Sequence, residues 1–137
     1  MMTGIIWFVQ IVHYPLFLKV PADGFLLYEQ AHTLRTGFVV APLMLAELGT
    51  AIALIVLSVA SGEQQTIGLN PLHLTSFGLL VLIWASTFLI QVPLHNLLTQ
   101  SPEVRAMKLL VSTNWIRTLL WSIRLGLLAF LLNARMT

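Results

Sequence analysis

Four apolar stretches lay out this 137-residue chain, at about residues 3–18, 38–60, 72–94 and 109–132. A hydrocarbon core of about 30 Å takes roughly 20 residues of α-helix, so each stretch predicts a membrane span, the first being the shortest. That first stretch has no early Lys or Arg and ends in His13-Tyr14-Pro15 rather than at a small-residue cleavage site. It therefore reads as a retained span and not as a signal peptide, and its short front leads us to expect a few residues upstream of Met1. Pro15 and Pro21 close it, and Asp23 is placed to cap the element that follows.

Residues 24–36 depart from the apolar pattern. Phe25, Leu26, Leu27, Tyr28 and Leu34 are set against Glu29, Gln30, His32 and Arg35. Glu29, His32 and Thr36 fall at i, i+3 and i+7, on one helical face. The pattern predicts an amphipathic helix that lies on the membrane or extends the second span outward. A single helix over 24–60 would be about 55 Å long at 1.5 Å per residue, so a bend is expected near Gly37 or Pro42. Ser61 to Asn70 reads as a polar loop. Asn70-Pro71 and Ser101-Pro102-Glu103 have the cap-then-proline composition of helix starts.

Polar positions inside the spans are in register. Gln10 and His13, three apart, share a face of the first span. Trp84, Thr87, Gln91 and His95 lie near one face of the third, with Pro93 disturbing the helix between Gln91 and His95. Asn114, Arg117, Trp121 and Arg124 step by three, four and three along one stripe of the fourth. The predicted fold is all-α: a single-domain, integral-membrane four-helix bundle with the amphipathic helix ahead of its second span.

Composition agrees. The chain is 58% hydrophobic and 9% charged, where a soluble domain carries about a quarter charged residues. A formal charge of +2 without a basic stripe gives no footprint for nucleic acid. The lack of cysteine removes disulfides, thiolate catalysis and Cys-ligated zinc or iron–sulfur. Lys19, Arg35, Arg105 and Lys108 flank the first and third loops, against Arg135 on the other side. By the positive-inside rule those loops are cytoplasmic and both termini face away from the cytoplasm. His13, Glu29, His32, His95 and Asn114 then gather toward the cytoplasmic end, with His73 at the opposite end.

Two sets of residues could carry chemistry. His13, Glu29, His32 and His95 offer imidazole and carboxylate donors for iron, copper or zinc. Glu29-x-x-His32 is half of a di-iron carboxylate motif, but the chain lacks a second copy. A mononuclear metal site, or a haem held by two histidines such as His13 and His95, suits the inventory better. The bland alternative makes Glu29 and His32 the solvated face of an interfacial helix, and His13 and His95 polar residues at headgroup depth. The second set is Glu47 with Arg117 and Arg124. A bare charge at membrane depth costs about 2.5–3.5 kcal/mol on insertion scales, so Glu47 is expected to pair with one of the two arginines. Such a pair either locks two helices or, with Arg117 binding an anionic or quinone-like oxygen, lets Glu47 or a histidine move a proton.

His13-Tyr14-Pro15, Val40-Ala41-Pro42-Leu43-Met44, Val92-Pro93-Leu94-His95-Asn96 and Asn114-Trp115-Ile116-Arg117-Thr118 resemble small bacterial four-span membrane proteins of unknown function. These are distantly similar to the anthrone-oxygenase-like family, whose founding fungal members oxidise anthrones to anthraquinones. The resemblance spans nearly the whole chain, one motif per helix. It implies a bacterial inner-membrane protein that uses O₂ to oxidise a phenolic, lipophilic small molecule, with or without a cofactor, and with His95, Asn114 and Arg117 in the pocket. It carries over no mechanism. Two other readings stay open: a small-molecule or proton binding and transport protein, and a structural subunit or homo-oligomer whose fourth span docks its polar stripe on a partner helix.

Overall fold

The structure, a computed structural model, describes residues 1–60 and 71–136. Four helices account for it: α1 (Met2–Phe17), α2 (Ala22–Ala60), α3 (Pro71–Leu98) and α4 (Val104–Met136). The last three are long and apolar enough to cross a membrane, while α1, about 24 Å at 1.5 Å per residue, is a shorter apolar helix. The predicted loop at Ser61 to Asn70, with its Asn70 cap, lies outside the described residues.

α2 is one unbroken helix through Gly37 and Pro42, so the amphipathic segment is its first third and extends the second span. Pro42 is exposed on the outer side, where the backbone bond it removes leaves the core contacts undisturbed. α4 starts at Val104 rather than at Pro102: the Glu103 carbonyl accepts from Met107 N–H at 3.0 Å, while Ser101 Oγ turns to the Glu103 carboxylate at 3.4 Å.

α1 and α3 share a local irregularity. Each contains one π-helical turn, Val9–His13 in α1 and Thr87–Gln91 in α3, and each turn is followed two residues later by proline, Pro15 and Pro93. A proline inside a helix removes the bond to the carbonyl four residues back. A wider turn just upstream re-registers the chain around that lost bond.

α4 packs along both α1 and α3, and α2 packs against α3 and more lightly against α1. Around the bundle the order is therefore α1, α4, α3, α2, with α2 and α4 facing each other diagonally. Two apolar clusters hold the ends. One is built on Ile6, Met44, Leu80, Ile83 and Trp121. The other is built on Tyr14, Phe17, Phe25, Leu98 and Leu110. Leu27, Phe38, Leu57, Leu89, Ile123 and Phe130 are exposed on the outer surface, an apolar coat that only a lipid environment solvates cheaply.

Candidate functional site

Between the two apolar clusters, every helix places polar side chains inward. In sequence order along each helix, Gln10 lies between Ile6 and Tyr14, Glu29 between Phe25 and Met44, Gln91 between Ile83 and Leu98, and Asn114 and Arg117 between Leu110 and Trp121. This is a polar layer within an apolar bundle, where each unmatched group is costly.

One half of the layer centres on Glu29, which is fully buried at 0% exposure and so is no part of a solvated face. Its Oε1 stands 2.5 Å from His95 Nδ1. A carboxylate only accepts, so Nδ1 donates to it, and in the neutral imidazole His95 Nε2 accepts from the Tyr14 hydroxyl at 3.1 Å. The chain Tyr14–His95–Glu29 thus links α1, α3 and α2. Glu29 Oε2 is buried with no hydrogen-bond partner among the described residues. One turn on, His32 Nδ1 meets Thr36 Oγ1 at 3.1 Å and His13 Nε2 at 3.0 Å. The two imidazoles stack, with centroids 4.4 Å apart. Buried Phe17 makes T-shaped contacts with His13 and His32, each at 5.2 Å between centroids, and with Tyr28 at 5.6 Å. Ligand atoms of Glu29, His32 and His95 all lie within 4.8 Å of one another, the grouping of metal-ligand type that the described residues contain.

The other half belongs to α1, α3 and α4. Asn114 Nδ2 donates to Gln10 Oε1 at 2.8 Å, and Gln10 Nε2 donates to the Val111 carbonyl at 3.1 Å. Arg117 Nη1 reaches only Asn114 Oδ1, at 3.4 Å. Arg117 is 6% exposed, its Nε is buried without a partner, and no carboxylate lies within ion-pair distance of it among the described residues. Gln91 donates through Nε2 to Thr113 Oγ1 at 3.1 Å, and its Oε1 is buried with no partner.

Both halves open on one cavity of about 390 Å³. Its walls are largely apolar, from Ile5, Val9, Val40, Met44, Trp84 and Phe88. Tyr14, His32, His95, Gln91 and Arg117 add polar groups. Apolar walls with a few converging polar groups are the usual make-up of a small-molecule site.

The predicted residues divide accordingly. Glu29, His32 and His95 come together, His13 adjoins them through His32, and Arg117 lines the cavity, while Asn114 is not part of its wall and reaches it only through Arg117. Glu47 stands apart: it forms an ion pair with Arg124, not Arg117. Arg124 also lies over the Trp121 ring, 5.6 Å from its centroid. The stripe Asn114, Arg117, Trp121, Arg124 is buried within the chain's own bundle, which leaves it no free face for a partner helix. Tyr14, which spacing did not single out, hydrogen-bonds His95. Gln10 and Tyr14, four apart and so on one helical face, are the buried pair, while His13 is half-buried. His73 is buried near the start of α3, away from the cluster. Compared with known proteins, the chain matches no family model, no curated protein and no solved structure.

Proposed function

We propose that this membrane protein takes a lipophilic small molecule into the cavity and oxidises it beside a single transition-metal ion held by Glu29, His32 and His95. The observation that carries the reading is the convergence of one carboxylate and two imidazoles, from two helices, with ligand atoms within 4.8 Å, beside a largely apolar cavity. Two histidines and a carboxylate are the donor set of non-haem iron sites that keep open positions. Donors about 2.1 Å from an ion and 90–110° apart sit about 3.0–3.4 Å from each other, so side-chain shifts of under about 1 Å would close the set. Tyr14 would then orient His95 through Nε2, and His13 and Thr36 would orient His32 through Nδ1, the outer-shell role that fixes an imidazole's ring and tautomer. His13 and His32 stack and bond directly, which favours a compact ion over a haem plane between imidazoles.

The ion would supply binding and activation of O₂. For a methylene flanked by aromatic rings, CH₂ + O₂ giving C=O + H₂O closes in atoms and electrons with no further reductant. This chain's own groups would exclude water with the apolar walls and orient the phenolic oxygen. The exposed Lys19, Arg35, Arg105 and Lys108 favour a site toward the cytoplasmic leaflet of a bacterial inner membrane. Cysteine-accessibility mapping tests that, since the chain has no cysteine of its own.

A second reading is favoured by one specific observation: both ring nitrogens of His95 are already hydrogen-bonded, to Glu29 and Tyr14. That arrangement is also a proton relay for cofactor-free oxidation. Metal analysis with optical and spin-resonance spectra, before and after reconstitution with iron, separates the two. A stoichiometric ion that is lost in Glu29→Gln and His32→Ala supports the metal site. Oxidation that persists in metal-free protein transfers the function to the relay.

A further inference from the structure

Arg117 presents the bundle's least satisfied charge. It lies in the polar layer, is more than nine-tenths buried, and lines the cavity. Among the described residues its one hydrogen bond is long, 3.4 Å to a neutral amide, and its Nε has no partner. Gln91 Oε1, on the same cavity, is likewise buried and unpartnered. Arg124, two turns along the same helix face, has Glu47 as its counter-ion. A guanidinium is always charged and presents a planar fork of donors shaped for a two-oxygen anion. Leaving such a group buried and unmatched is among the most costly arrangements in a bundle.

From this juxtaposition we propose that Arg117 is a recognition site for the anionic oxygen of an amphiphilic ligand, a lipophilic carboxylate or phenolate whose apolar body lies in the cavity. The proposal rests on the small-molecule reading of the cavity and deepens it by naming the ligand's head group. It does not need the metal. The oxygen accepts from the free donors of the guanidinium. Asn114, itself held by Gln10, positions the guanidinium through Nη1. Gln91 Oε1 accepts from a hydroxyl elsewhere on the ligand. The ligand's chain or rings then run past Val40, Met44, Trp84 and Phe88, which wall the cavity. Trp84 places a fluorophore in that wall.

The test uses the full chain in lipid nanodiscs and two matched probe pairs: hexadecanoate against 1-hexadecanol, and 1-naphthol above its pKa against 1-methoxynaphthalene. Binding is read by Trp fluorescence and by equilibrium dialysis, with affinities corrected for partitioning into empty nanodiscs. In the wild type, at least one anion is expected to bind at least about tenfold more tightly than its neutral partner, the scale of one charge-assisted hydrogen bond. Whichever pair shows the preference identifies the source of the anionic oxygen. The preference is expected to fall below about twofold in Arg117→Gln and to survive in part in Arg117→Lys. Should Arg117→Gln not fold, Arg117→Lys carries the test and is expected to reduce the preference. Equal affinity for anion and neutral in both pairs overturns the proposal, as does a preference that Arg117→Gln leaves intact. The metal content of each variant is measured in parallel. Metal retained with no anion preference sinks this proposal alone. An anion preference in protein that takes up no metal sinks the metal site alone.

Discussion

Two arginines on one stripe of α4 meet opposite fates. Arg124 finds Glu47 across the bundle's diagonal and lies over Trp121. Arg117, two turns away, finds only an amide. α2 repeats the contrast with its carboxylates: Glu47 is neutralised by Arg124, while Glu29 turns to His95 and keeps one oxygen unmatched. Each half of the bundle thus holds one acid and one base, closed into a pair in one half and held apart in the other. A closed pair ties α2 to α4, which share no backbone packing of note, and leaves nothing for a ligand. Separated charges are a standing cost that a bound ion at Glu29 and a bound anion at Arg117 would each relieve. Arg117 lines the cavity directly, and Glu29 adjoins it through His95.

The largest effect that could break this contrast is on metal uptake. Glu29→Gln should reduce metal affinity by more than about 100-fold, beyond the 10–100-fold of an outer-shell change, as read by competition against a chelator; retention would remove the metal site. Next, Glu47→Gln should destabilise the bundle by about 1–3 kcal/mol, below the 3–5 of a fully buried pair because the Glu47 side chain is 25% exposed. Reversible unfolding in mixed micelles reads this, and the double variant Glu47→Gln/Arg124→Gln should recover part of the loss. Tyr14→Phe keeps the packing and removes one hydrogen bond from His95. It should cost about 0.5–1.5 kcal/mol of stability while lowering metal affinity about tenfold. The smallest effect sharpens the comparison by its sign. Arg117→Gln without ligand should be neutral or stabilising by up to about 1 kcal/mol, because it removes an unmatched buried charge. Arg124→Gln should be clearly destabilising. Equal losses from both arginine variants would mean that Arg117 is as well satisfied as Arg124, and the distinction between the two regions would fall.

Much of the arrangement within each helix was legible from spacing. The face Glu29, His32, Thr36 turned out to be inward-facing, as did Gln91 with His95, and Asn114 through Arg124 are buried as one stripe. Helical periodicity is a local property, so side chains three or four apart align whatever surrounds them. Tyr14 was harder to read. Its partner His95 is 81 residues away on another helix, and spacing within α1 carries no trace of that contact. The partner of Glu47 was also undetermined, because Arg117 and Arg124 lie on the same stripe at nearly equal claim. The height of α2 against α4 decided it.

By itself, then, the sequence determined an all-α chain, the three long apolar helices that mark it as a membrane protein, and which residues of each helix point the same way. Only the tertiary structure decided which face of α2 looks inward along its whole length, which helices are neighbours, and that Glu29 meets His95 while Arg117 meets no acid. The physical reason lies in the solvent. Lipid is as apolar as a helix interface, so hydrophobic residues cannot say which side is core. The few polar groups mark the inside, but their partners lie on other helices, 66 residues apart for Glu29 and His95 and 77 apart for Glu47 and Arg124. Pairings at that separation are set by how the helices pack, not by any local pattern in the chain.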